Sequence, residues 1–533
     1  MNIKPVKTFS IFILSGIFMM VQASASLGQA KKLNLSLKEY EDRIHAVWVG
    51  QIAGTLIAWP HEHKTASVEW LDKYPTERTV APVDDDWYYE MIAIRAFEKY
   101  GTDMTLEELS KQWQENSAGS WGSSEQARLL LAKGVKASDV GHPRYNKLWF
   151  SIGPQFSADI YGALAPGMPN VTANLARKLC HINGYAEGAD GGIFAATMVS
   201  LAFSETDPKT IVRKAAQVIN PESPYRKCLD LVISMADQGK TAAEIFSEVE
   251  DRWHIEYPAT NNAVPNGGII AASVWFGEGD FLKTVNLAAA AGDFTDADCN
   301  AANAAAVIGA LHGMKGIPAH LVSALNDRIT GDIMGGVKLT PAVDEKISDL
   351  ARRTAVIGQK ILIENGAKLN GSTLSIPVEE PVALSAEVFK LADLTKYWNA
   401  DWQLERAGFG GAGGGMRGIR GITYLDNEVL VTYPRDEVRG LLLSRTLKIN
   451  NEKELSFDVA SDAKRAWNLN VLVQNDSKVV KTIEGSDTGQ KWETIKVDLS
   501  PYKGQTVKIR LYQRVLVPGK EAGNAYWKNI QIK

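Results

Sequence analysis

The chain has 533 residues, 45% of them hydrophobic and 23% charged, with a formal net charge of -4. That length holds two or three domains and one sizeable core. The ordinary composition and slightly acidic balance exclude a strongly basic binder of nucleic acid or of an anionic membrane surface.

At the N-terminus, Lys4 and Lys7 precede an apolar run from Phe9 to Val21, and Ala23, Ser24 and Ala25 follow as a small-residue cleavage site. This pattern predicts a secretory signal peptide over 1–25 and a mature protein that is exported, periplasmic or extracellular. The run of about 13 residues falls short of the ~20 that a membrane-crossing helix needs; an uncleaved anchor is the other reading. No membrane span is expected in the mature chain, because Asp293, Asp296 and Asp298 break the Ala-rich stretch near 288–311. The three cysteines, Cys180, Cys228 and Cys299, leave at least one thiol unpaired within the chain, and a Cys180–Cys228 disulfide stays open.

From about 36 to 365, apolar residues recur at three- and four-residue spacing, in 36–58, 87–100, 106–114, 124–133 and 241–252. Gly and Pro mark the joints. The pattern predicts one all-α domain over 36–365. A helix over 301–312 carries small residues at Ala301, Ala305, Gly309 and Gly313, which would admit another helix closely and place this one centrally. Residues 366–395 read as a connector, with Pro377 and Pro381. From 396 to 533 the signal is β: strands are predicted over 440–449, 454–459, 469–474, 494–499, 506–512 and 525–532, spaced by polar turns as in a jelly-roll-like sandwich. The fold class expected is therefore multidomain, helical and then all-β. The Gly-rich run from Gly408 to Gly421 reads as a flexible loop. Trp398, Trp402, Trp467, Trp492 and Trp527 lie in or near the β region, where they fill a core or stack on sugars.

Three carboxylate-bearing segments stand far apart in sequence. The first contains Glu62, after Trp59, Pro60 and His61. The second is Asp84, Asp85 and Asp86, opening a helix. The third is Asp296 and Asp298, with Cys299 and Asn300, opening the small-residue helix. Clustered Asp residues resist burial unless a cation or a helix N-terminus compensates. Surface helix caps account for either Asp cluster taken alone. They do not account for Asp296 and Asp298 entering a helix that reads as buried. Convergence of both clusters would suit hard divalent ions, Mg²⁺ or Ca²⁺.

These segments resemble the ADP-ribosylglycohydrolase superfamily, over about 40–325. Its early motif G-x-x-x-G-D-x-x-G-x-P-x-E is similar to Gly50 through Gly54, Thr55, Ala58, Pro60 and Glu62, with Thr55 and Ala58 in place of Asp and Gly. Its T-D-D-T motif resembles Asp84, Asp85, Asp86 and Trp87. Its late D-T-D-T-x-A-A motif resembles Asp296 through Ala302, with Cys299 where a Thr oxygen usually ligates. The resemblance implies a helical fold with a binuclear metal site, usually Mg²⁺, with Ca²⁺ or Mn²⁺ as alternatives. It assigns Asp85, Asp86, Asp296 and Asp298 as ligands, with Asp84 and Cys299 as further candidates. A thiol is a poor partner for Mg²⁺, which puts one site's occupancy in question or shifts the metal preference. Glu62 is implied as general acid/base. Asp159, His181, Asn183 and Asn266 are implied at the substrate cleft; a turn cap for Asp159, a satisfied core histidine for His181 and a turn residue for Asn266 are their structural alternatives. The expected activity is hydrolysis of an N- or O-glycosidic bond in an ADP-ribosyl, ribosyl or related sugar. The alternatives are a glycan hydrolase on the same fold, and a carbohydrate-binding protein whose site has decayed at Thr55, Trp87, Ala297 and Cys299.

Overall fold

The computed structural model describes residues 31–258, 260–411 and 419–533. The expected signal peptide lies outside the described residues. The helical domain is organised on two antiparallel helices, Leu37–Ala58 and Ala297–His312, both buried on almost every side. Their backbones touch because glycines leave room. A Cβ on Gly54 would meet the Ala301 carbonyl oxygen at 2.4 Å, and one on Gly309 would meet that of Ala46 at 2.2 Å. The small-residue spacing thus does what the sequence predicts. Arg43 secures the far end of the pair. Its guanidinium donates to the carbonyls of Ala310 (2.5 Å), Ala202 (2.6 Å) and Phe203 (3.2 Å), at helix C-termini where a cation is favoured. Reciprocal capping by Thr105 with Glu108, and by Thr241 with Glu244, fixes where two outer helices begin.

The helical region also holds strands that its sequence pattern does not announce. Arg328–Met334 and Val337–Lys346 form an antiparallel hairpin. Lys32–Ser36 pairs antiparallel with Thr373–Pro377, which also pairs with Lys368–Asn370. The stretch expected as a connector therefore begins as sheet against the helical domain. Beyond the sheet, the chain stays docked on the helices. Glu379 accepts the Asn170 N–H at 2.9 Å, beside the first turn of Pro169–Cys180, and the Leu384 N–H donates to the Val218 carbonyl at 2.9 Å. Glu387 Oε1 takes the His181 ring Nε2 at 3.0 Å and the Ala186 N–H at 2.9 Å.

Burial opposes the charge on Glu387, but His181 and the Ala186 N–H outweigh it and hold the carboxyl below its usual range. A depressed pKa means that this contact stabilises the fold above the unfolded value, and that the contribution is lost as pH falls through the lower folded value. Glu387→Gln should therefore lower Tm at neutral pH, and the gap to the parent should close as pH drops below about 4. An unchanged melt at pH 7 would show that the docking contributes nothing.

The C-terminal domain is a β-sandwich. One sheet runs in the order Glu493–Asp498, Glu454–Ser461, Ala525–Ile532, Val429–Thr432, Tyr424–Asp426; the other runs Asp476–Glu484, Arg465–Val473, Thr506–Arg514, Leu441–Lys448, Gln403–Glu405. Trp402, Trp467 and Trp527 are buried between the sheets, and the last two rings stand 5.1 Å apart. These three are core residues. Trp398 donates its indole N–H to the Glu428 carbonyl. Trp492 differs: it packs edge-on against Tyr526 at 6.4 Å on the outer face of the five-stranded sheet, with Lys528 Nζ 3.7 Å from its ring centre. On that face Ala460, Tyr526, Val431 and Tyr424 are cross-strand neighbours in one row.

The Gly-rich run is not wholly loop. Phe409–Gly411 and Ile419–Ile422 pair antiparallel, and residues 412–418 lie outside the described residues. Gly410 and Gly421 lack side chains because the Tyr433 ring lies against both; a Cβ on either would meet it within 2 Å (1.8 and 1.9 Å). The neighbouring Phe409 ring leaves the sandwich and packs 4.3 Å from Phe150 in the helical core. All three cysteines are free: the Cys180–Cys228 bridge is not made, and both thiols pack in the core, against Gly192 and Gly268 respectively. Among the described residues no helix is long and apolar enough to cross a membrane.

Candidate active site

The antiparallel pairing brings the C-terminal end of Leu37–Ala58 beside the first turn of Ala297–His312, and Asp85–Tyr100 starts at the same place. Asp84 is the N-cap of that third helix and accepts the Asp86 N–H at 3.3 Å, so capping accounts for it. Asp296 caps nothing with its side chain. Its carboxylate receives the Asn261 amide, and its own N–H donates to Asn266 Oδ1 at 2.9 Å. Asn266 also accepts the Asn300 amide at 2.7 Å and donates to the carbonyls of Thr260 and Asn262, each at 2.6 Å. Asn266 is thus the peg that fixes the start of the central helix and with it Asp296.

Five side chains then face each other. Donor atoms of Asp296, Asp298 and Cys299 lie within 4.8 Å of one another, and so do those of Glu62, His63 and Asp296. Asp86 and Asp85 look onto the same space. Burial, then the other carboxylates including Asp298, push both far above the usual carboxylate range. The Thr55 hydroxyl stands 2.8 Å from Asp86 Oδ2, so the Thr that departs from the family motif still touches the cluster, without adding charge. Burial pushes Asp296 up to about 7 and Asp298 well above its ordinary value. It raises Glu62 too, with Asp84 adding to the shift and His63 opposing it. The only ion-pair partner among the described residues for Asp85, Asp86, Asp296 or Asp298 is His63, 3.8 Å from Asp296.

Such a group of buried like charges is stable only with protons or a cation among them. Asp86, Asp296 and Asp298, at 1%, 2% and 6% exposure, each keep a carboxylate oxygen with no hydrogen-bond partner. Those oxygens fit a divalent cation. Burial and the four surrounding Asp carboxylates raise the Cys299 thiol as well, so without a cation it stays protonated.

His63 was not legible as a site residue. It follows Glu62 directly, has a left-handed backbone (φ 51°), and sets Nε2 3.4 Å from Glu62 Oε1. Its Nδ1 is 2.8 Å from the Thr260 hydroxyl. Thr260 and Asn261 also come from a turn with no sequence signal of its own. The Asn261 carbonyl accepts the Ile152 N–H at 2.9 Å, tying this turn to a second loop at Ser151 and Ile152. Ser151 Oγ in turn accepts the Ser123 N–H, next to the half-exposed Trp121.

The other cleft candidates stand apart. Asp159 is fully buried, with both oxygens 3.0 Å from the Asn303 amide and with Glu90 beside it, and burial pushes it up to about 7. His181 is engaged with Glu387 and stacks on Tyr185. Asn183 donates to Ser124 Oγ at 3.0 Å. Asn266 alone of the four touches the carboxylate cluster.

A family model for ADP-ribosylglycohydrolase matches residues 36–358. Among solved structures, an ADP-ribosylglycohydrolase-related protein complex is similar at 15% identity, covering 60% of this chain and 99% of its own, with a TM-score of 0.42. The K1 cleaved adhesin domain of Lys-gingipain from Porphyromonas gingivalis W83 is similar at 16% identity, covering 26% of this chain and 94% of its own, with a TM-score of 0.18. A CBM4 structure is similar at 14% identity over 25% of this chain and 88% of its own, with a TM-score of 0.18. No curated protein matches the chain.

Proposed function

Because this chain belongs to the ADP-ribosylglycohydrolase family and is a hydrolase of glycosidic bonds, we propose that it is exported and metal-dependent, and that it cleaves an N- or O-glycosidic bond of an ADP-ribosyl, ribosyl or related sugar at the carboxylate cluster. The observation that carries this reading is the meeting of Glu62, Asp85, Asp86, Asp296 and Asp298 around unpartnered buried oxygens. Asp85, Asp86, Asp296 and Asp298 would hold a divalent ion, which would supply positive charge for the hydroxyls of the sugar ring. The remaining chemistry belongs to the chain. Glu62, at the rim and partly exposed, holds a proton at Oε for the departing oxygen or nitrogen and takes one from the attacking water. His63 stands between Thr260 and Glu62, with Nε2 3.4 Å from Glu62 Oε1. Asn266 and Asn261 hold Asp296 in place. The Asp84 cap holds the start of the helix that carries Asp85 and Asp86.

The substrate on this reading is a small molecule. A second reading, glycan hydrolysis on the same fold, draws on the Trp492, Tyr526 and Tyr424 rings on one sandwich face, since aromatic rings stack on sugars. Thr55 in contact with Asp86 speaks against a decayed site. Turnover of an ADP-ribosyl and ribosyl panel beside plain glycosides tests the proposal, with Asp296→Ala as control. Activity on the first set that disappears in the control supports it. Activity on plain glycosides alone moves the assignment to glycans. Asp296→Ala as active as the parent would refute the site.

A further inference from the structure

We propose that the carboxylate cluster selects a borderline transition-metal ion of the zinc class over magnesium, with Cys299 sulfur as a direct ligand and His63 as a nitrogen donor at a second position that shares Asp296. The inference rests on the reading of this cluster as the metal site of a hydrolase.

Two donor triads overlap at one residue. Asp296, Asp298 and Cys299 form one, and Glu62, His63 and Asp296 form the other, each with its donor atoms inside 4.8 Å. Ligands about 2.0–2.3 Å from a tetrahedral zinc ion lie within ~4 Å of each other, so modest side-chain movement closes the first triad on one ion and brings His63 and Asp296 onto a second, with Glu62 beside it left to carry protons. The two carboxylates of the first triad each keep one buried oxygen without a hydrogen-bond partner. That is independent of the thiol, and it marks the space beside Cys299 as one that a cation fills.

The donor set then decides which cation. Magnesium takes oxygen ligands in a near-ideal octahedron, and neither sulfur nor imidazole suits it. Sulfur and imidazole both favour zinc and its transition-metal neighbours. Cys299 lies against Asp86 and Asp296 and is near no other thiol: Cys180 and Cys228 are buried in the helical core. At His63, Thr260 Oγ1 can accept the Nδ1 proton at 2.8 Å, which leaves the Nε2 lone pair facing Glu62 and Asp296, at 3.4 and 3.8 Å. An acceptor behind the ring that selects the ligating tautomer is the usual support of a metal-bound histidine. Thr55 lowers the count of hard anionic oxygens on the opposite wall, since a hydroxyl stands there.

The test uses the whole protein, stripped of metal by a chelator, kept reduced and titrated with Co²⁺. The expected result is a near-ultraviolet thiolate-to-cobalt charge-transfer band that an equimolar amount of Zn²⁺ removes and a large excess of Mg²⁺ leaves in place. Cys299→Ser should abolish the band. His63→Gln should keep the band and lower bound metal from two equivalents to one. Circular dichroism and Tm check that both variants fold. Cobalt bound without the band, a band that survives in Cys299→Ser, or displacement by Mg²⁺ would overturn the inference. If Mg²⁺ supports turnover and no band forms, this inference falls and the proposed function stands. If no divalent ion binds at all, both fall.

Discussion

Glu62→Gln should lower turnover by about 10²–10⁴-fold, the usual worth of a positioned acid/base group. The substitution keeps the size of the side chain and its contact with His63, so it removes proton transfer and little else. Glu62 is suited to the task by position. It closes the short helix Trp59–His61 at the rim of the buried carboxylates, exposed enough to meet a substrate and buried enough to keep a proton. Turnover and bound metal should be measured on the same preparations. A large loss in turnover with the metal at Asp296, Asp298 and Cys299 unchanged supports the acid/base role. Unchanged turnover would remove Glu62 from the mechanism, and loss of that metal along with turnover would make it a ligand instead.

The largest stability effect is expected at a position far from the chemistry. Gly309→Val places three carbons where a single Cβ would already stand 2.2 Å from the Ala46 carbonyl oxygen and 2.6 Å from its carbon. Backbone cannot step aside as a flexible side chain can, so the two central helices must separate. Overpacking typically costs ~1–3 kcal/mol, and backbone contact puts this case at or above the top of that range. For a helical domain that spans 36–358, that is a fall in Tm of roughly 4 °C or more. Gly489→Ala is the matched control, because a Cβ there has no neighbour within 4 Å. A Gly309→Val protein that melts with the parent would mean that the helices are not held by this contact. The variant should also bind metal less well, since Asp296 and Asp298 ride on the helix that is pushed away.

The division into a helical and a β part was readable because each signal is local: a period of 3.6 in one half and alternation in the other. The central helix was readable from its small residues. Lys32–Ser36 was missed although Leu33 and Leu35 alternate, because five residues running straight into a long helix are absorbed by the stronger pattern. At the site, motif resemblance singles out Glu62 and the Asp pairs, whereas local physics alone reads Asp84–Asp86 as a cap and leaves Asp296 and Asp298 entering a buried helix without an explanation. A physical clue was nevertheless present. Asp296, Asn300 and Asn303 are spaced by four and three at the start of a helix that is mostly small and apolar, which puts three polar groups on one buried face. His63, Thr260 and Asn261 gave no comparable signal, because they sit in turns whose neighbours are set by the tertiary fold. The same holds for His181, whose partner Glu387 lies 206 residues away.

The Phe409 ring, lodged against Phe150 and near Tyr257, makes the sandwich something other than a detachable module. Domains joined by a free linker can be cut apart, and each keeps its own stability. Here the helical domain borrows part of its interior from the β domain. Phe150 and Tyr257 flank the Ser151–Ile152 and Thr260–Asn261 loops that frame the carboxylates. A truncated chain ending before the sandwich would therefore carry a hole directly behind the loops that frame the carboxylates. Exchanging this β domain for another would take the Phe409 ring out of the wall behind those loops, so the sandwich is part of the scaffold that holds the carboxylates in place.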